Sequence, residues 1–258
     1  MSNKKITLDE MLQAVKSAHG SSLSAVVLYG SAASRGELGE RSDYNLLIIV
    51  KDLQLSRIQS ASEIAGRWAA AGNPPPLTFT EAEWNASADI FPMEFADVVE
   101  SHRVLYGTLK PPQTGIDLEH LRLQLEQESM GKLLGLRQGA MVAGRDGRAR
   151  QMLLEGAWSK ILVLLRGLIR LHGEHIPGEN HALVERAAAL AALDSSAFLR
   201  VLDAVERGSK LSEAESDVVL GKVLAGIEKL VSHVNSYRSG APTYATTMTT
   251  TSKGDSEK

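Results

Sequence analysis

The 258-residue chain is 43% hydrophobic and 23% charged, with a formal net charge of −3. That composition allows one large or two ordinary globular domains and provides no global attraction to nucleic acid. It contains no cysteine, which excludes disulfides, thiolate catalysis and thiolate metal sites. Residues 1–9 are polar without a signal-peptide core, and the apolar run 161–165 is boxed in by Lys160 and Arg166, so a cytoplasmic location with no membrane partner is expected.

Taken in order, residues 7–18 place Met11, Leu12, Ala14 and Val15 at helical spacing, with Asp9 and Glu10 in the first turn and Gly20, Ser21 and Ser22 as the stop. A β-branched, apolar strand over 25–29 ends at Gly30 and Ser31. A second strand over 44–50 is apolar nearly throughout, which predicts burial on both faces. The polar cluster Ser42, Asp43, Tyr44 and Asn45 opens that strand, and alternation along a strand turns Asp43 and Asn45 to one side. Polar ligands at the mouth of a buried strand, opposite a Gly-Ser turn, point to a site rather than to surface. Residues 53–71 read as an amphipathic helix ended by Gly72. Pro74, Pro75 and Pro76 force an extended path into a short strand over 77–80, and 81–88 is a short helix. Apart from its two acids, the stretch Phe-Pro-Met-Glu-Phe-Ala-Asp-Val-Val over 91–99 is apolar and reads as a further strand. Its Glu94 and Asp97, three apart, would then face opposite sides.

Pro111, Pro112 and Gly115 mark a boundary, beyond which the chain reads helical. One long helix over 118–142 carries a dense apolar stripe through Leu121, Leu123, Leu125, Leu134 and Leu136. After a break at 144–147, a helix over 149–171 is apolar all round its centre, as the middle of a bundle requires. Helices over 182–193, 196–207 and 213–234 follow, with Ser195 and Ser212 as N-caps, and the short loops predict an up-and-down bundle. The Thr/Ser-rich residues 239–258 have little to bury and are expected to be disordered. The segment 130–172 has about eight basic against two acidic residues, which reads either as a solvated helix face or as a surface for a nucleotide or an anionic acceptor. The seven histidines show no metal-ligand spacing, and His172, His175 and His181 fall near helix ends.

The strand–turn–strand stretch resembles the nucleotidyltransferase fold of the DNA polymerase beta superfamily, in which an apolar strand ends in Gly-Ser and Asp-x-Asp or Asp-x-Glu opens the next. Here these are Gly30-Ser31 and Asp43-Tyr44-Asn45, with Arg35-Gly36 in the linker, Ser42 before the aspartate and Leu105-Tyr106-Gly107 closing the domain. The likeness spans roughly residues 5–110. It implies an α/β (α+β) domain with a mixed sheet over 1–110, then an all-α helical bundle over 113–238 that holds an acceptor or a partner, then the tail 239–258. It also implies Mg²⁺- or Mn²⁺-dependent transfer of a nucleoside monophosphate from a nucleoside triphosphate, ATP, to a hydroxyl of a small-molecule or protein acceptor. In that scheme Asp43 is the shared metal ligand, and Glu94, with Asp97 as fallback, holds the catalytic ion or takes the proton. Gly30, Ser31 and Ser42 bind the triphosphate. The second metal-ligand position is Asn45, where the family carries a carboxylate. An amide offers one neutral carbonyl oxygen and removes a negative charge from between two dications. The resemblance therefore also admits a catalytically impaired protein that binds nucleotide or contacts another protein, as the nucleotidyltransferase halves of toxin–antitoxin pairs do. Relatives that modify aminoglycosides need an acidic pocket for a polycation, and the basic segment argues against such an acceptor.

Overall fold

The computed structural model describes residues 6–34, 44–110 and 115–237, which form two compact units, one ending at Ile116 and one starting at Asp117. The tail over 239–258 lies outside the described residues.

In the first unit a reciprocal pair of bonds between Thr7 and Glu10 caps α1 (Leu8–His19): the Thr7 N–H donates to the Glu10 carboxylate at 2.8 Å, and the Glu10 N–H donates to Thr7 Oγ1 at 3.2 Å. β1 (Leu23–Tyr29) passes through Gly30 into the four-residue α2 (Ser31–Ser34), and β2 (Asn45–Val50) returns beside it. The helix expected over 53–71 is divided at Ala61 into α3 (Leu55–Ser60) and α4 (Ser62–Ala70). β3 (Leu77–Thr80), α5 (Glu81–Ala86), α6 (Pro92–Glu100) and β4 (His102–Gly107) complete the unit. The sheet runs β3-β2-β1-β4. β1 is antiparallel to both neighbours and β2 is parallel to β3, so the sheet is mixed.

The two central strands are buried on both faces because each face meets its own helical layer. Val26, Leu28, Leu46 and Ile48 pack with Met11 and Val15 of α1 and with Trp68 of α4. Ala25, Val27, Leu47 and Ile49 pack with Trp84 of α5 and with Phe95 and Val98 of α6. Trp84 and Phe95 stack with ring centroids 4.0 Å apart, joining α5 to α6.

The stretch read as a strand over 91–99 is instead the helix α6 from residue 92 onward, with Phe91 as its N-cap. Pro92 occupies the first turn, where its missing N–H costs nothing, and Met93, Phe95, Ala96, Val98 and Val99 are all buried. Burial on most sides of the helix hides the 3.6-residue rhythm and makes the run look like a strand. Glu94 and Asp97, three apart on α6, therefore share a helix face instead of opposing one another.

The second unit contains α7 (Leu118–Ala143), α8 (Gly147–Leu171), α9 (Asn180–Ala191), α10 (Ser195–Arg207) and α11 (Glu213–Ser236). Aspartates 117 and 146 cap α7 and α8, each carboxylate accepting two backbone N–H groups, and Ser212 caps α11. Asp194, not Ser195, caps α10. Hydrogen bonds from Ser196 and Lys222 push its carboxyl down to about 2. No described helix is long and apolar enough to cross a membrane. The local basic bias of 130–172 is partly met by acids from outside that window: Lys160 pairs with Glu128, Arg137 with Glu228, and Arg150 with Asp217 at 3.4, 2.6 and 3.1 Å.

Where α8 ends, His172 meets His233 of α11, Nε2 to Nε2 at 2.9 Å, with the Tyr237 ring edge-on to His172. Burial lowers the pKa of both rings, and His172 is lowered further by His233 and Arg186 against an opposing pull from Glu174. A folded-state pKa below the ordinary 6.5 means that the unfolded chain takes up protons first. Stability is therefore complete above about pH 6.5 and falls as pH drops below it. Thermal unfolding between pH 8 and pH 5 is expected to show this decline, and His172→Gln with His233→Gln is expected to flatten it. An unchanged slope in the double variant would remove the pair as the cause.

Gly131 and Gly135 in α7 and Gly156 in α8 are exposed helix-interior positions where an added Cβ meets nothing within 4 Å. Alanine at each is expected to stabilise the bundle by roughly 0.5–1 kcal/mol, read as a higher urea midpoint at constant m.

Candidate nucleotide site

The ends of β1 and β2 are brought together by register, since Tyr29 pairs with Asn45 on one side and with His102 of β4 on the other. Gly30 follows with φ +75°, a backbone conformation that glycine adopts without steric cost. Its N–H donates to the Ser101 carbonyl at 3.0 Å, and Ser101 Oγ donates to the Gly30 carbonyl at 3.3 Å. The turn is thereby tied to the residue that joins α6 to β4. Ser31 begins α2 directly after it.

On the other strand, the Tyr44 N–H donates to Asn73 Oδ1 at 3.0 Å and the Tyr44 ring packs 5.6 Å from Trp68, which holds the start of β2. Leu47 and Ile49 face α5 and α6, so strand alternation places Asn45 on that same side. Its Nδ2 lies 3.4 Å from where a Cβ on Gly30 would stand. The structure thus brings Gly30 and Asn45 together. Ser42 and Asp43, like Arg35 and Gly36, lie outside the described residues.

Glu94 and Asp97 belong to the same corner. Both act electrostatically on Tyr29, whose hydroxyl is pushed well above the ordinary tyrosine range, first by burial, then by Asp97 and then by Glu94. Tyr29 partly packs on the layer that contains Phe95 and Val98. His102 beside it has a buried Nδ1 with no hydrogen-bond partner among the described residues. Sequence reasoning missed both Tyr29 and His102. The signal for Tyr29 was its place directly before the Gly-Ser turn, whereas His102 became visible only through its register opposite Tyr29.

Among the described residues no group of three or more His, Cys, Asp or Glu side chains is arranged to hold a divalent cation. Asn45 supplies a neutral amide where such a site needs charge, so the described residues do not by themselves fit the metal.

No family model matches the chain, and no curated protein matches it. Solved structures do match. One is the spectinomycin adenyltransferase AAD(9) from Enterococcus faecialis, solved with ATP and spectinomycin. Its TM-score is 0.57 at 14% identity, covering 89% of this chain and 100% of that one. The similarity is one of fold.

Proposed function

We propose that the chain is a nucleotidyltransferase-fold protein that binds a nucleoside triphosphate, ATP in the first instance, where β1 and β2 end, and transfers from it slowly or not at all. The observation that carries this reading is Asn45. A neutral amide stands on the sheet face that α6 covers, against the Gly30 turn, at the position where the resembled family carries its second carboxylate. Gly30, Ser31 and Ser42 are the proposed phosphate-binding positions, and Asp43 and Glu94 are the carboxylates that would remain for Mg²⁺ or Mn²⁺. The fold of an ATP-bound adenyltransferase supports nucleotide as the ligand class. The helical unit would take the acceptor or a protein partner.

Titration of the protein with ATP and Mg²⁺ by calorimetry, alongside an incubation with α-labelled ATP, tests the proposal. The expected result is saturable binding, weakened by Asp43→Ala, with little or no label transferred. Rapid transfer by the wild type that Asp43→Ala abolishes would make it a competent enzyme instead. Absence of any binding would overturn the nucleotide reading altogether.

A further inference from the structure

A groove of about 690 Å³ runs along the contact of α7 with α8, flanked by Lys132, Lys160 and Glu128, with Gly131, Gly135 and Gly156 among its lining residues. Its volume falls in the range of small-molecule sites. The electrostatics are unbalanced. Lys160 engages Glu128 at 3.4 Å, whereas Lys132, which is only partly exposed, makes no hydrogen bond or ion pair among the described residues. Burial and then the charge of Lys160 hold the Lys132 ammonium below the ordinary lysine range, with Glu128 opposing. Glu128 offsets one of the two ammonium charges, so the groove keeps one positive charge in excess, which a bound anion would balance. The three glycines leave the space between the helices open although alanine would suit each helix better.

We infer that this groove is a binding site for a small organic anion, its anionic group held between Lys132 and Lys160 and its flat apolar body lying over Gly131, Gly135 and Gly156 beside Met152 and Leu153. Charge-assisted hydrogen bonds from two ammonium groups select phosphate, sulfonate or carboxylate. The glycine floor admits a planar ring system that a Cβ would displace. The site lies wholly within the helical unit and does not depend on the proposed nucleotide site.

The test uses the full chain and the fluorescent probe 8-anilinonaphthalene-1-sulfonate, with N-phenyl-1-naphthylamine as its uncharged counterpart. The sulfonate is expected to bind saturably, and the uncharged probe at least about tenfold more weakly. Lys132→Gln is expected to weaken the sulfonate by about tenfold or more, and Gly135→Leu to abolish its binding. The bound sulfonate is also expected to protect Lys132 from acetylation, read by peptide mass spectrometry. Lys132→Gln changes only a partly exposed position, so it decides the matter even if Gly135→Leu does not fold. Equal binding by wild type and Lys132→Gln, or equal binding of the two probes, overturns the proposal.

Discussion

With Asn45 replaced by aspartate, transfer of label from ATP in Mg²⁺ or Mn²⁺ is expected to rise on the order of 100-fold over wild type, and to vanish again when Asp43→Ala is added. The exchange keeps the side chain's shape and turns a neutral oxygen donor into an anionic one. The backbone that carries it will not move, because β2 is paired with β1 from Val50 to Asn45 and its Leu47 and Ile49 are locked under α5 and α6. A second effect separates this account from a simple packing change. Placing a carboxylate on the sheet face covered by α6, where Glu94 and Asp97 already act on Tyr29, adds like-charge repulsion. Asn45→Asp should therefore melt below wild type without divalent ions and gain more than wild type when Mn²⁺ is added. A rate and a melting temperature both unmoved by the substitution and by Mn²⁺ would mean that the missing carboxylate is not what restrains the protein.

Gly107→Ala is expected to cost about 3 kcal/mol or more and to leave the sheet unit largely unfolded at moderate urea. Gly107 has φ +71°, and a Cβ there would stand 1.9 Å from the Ser24 carbonyl oxygen and 3.2 Å from the Ala25 Cα. Both obstacles are backbone atoms of β1, the strand at the centre of the sheet, so relief requires the β1–β4 pairing to open. Gly72→Ala is the control. Its φ is +93°, but an added Cβ there meets nothing within 4 Å, so it carries the dihedral penalty alone, about 1–2 kcal/mol. Urea unfolding followed by tryptophan fluorescence compares the two. Equal midpoints would show that the close approach to Ser24 is not what the glycine serves.

Local signals made much of the chain legible. The strand–turn–strand stretch around Gly30 carried its own punctuation, and the long helices announced themselves through apolar spacing, with Ser212 also marking the start of α11. The failures have physical causes. α6 was hidden because its residues are buried on most sides, which erases the periodicity that distinguishes helix from strand. Pro92 at the first turn and the acids at 94 and 97 were the available counter-signals. The cap of α10 went to Asp194 rather than Ser195, a one-residue shift between two good cap formers. The meeting of His172 with His233 links positions 61 apart, and the side chains around Tyr29 come from β1, β2, β4 and α6. Juxtapositions of that kind exist only once strands have found their register.

The chain's three tryptophans are all buried, Trp68 and Trp84 within the sheet unit and Trp158 within the helical one. Each half therefore carries its own optical reporter. A Trp158→Phe protein would emit from the sheet unit alone, and a Trp68→Phe, Trp84→Phe protein from the bundle alone. Overlaying their melting curves would reveal whether the halves lose structure in a single cooperative step or one after the other.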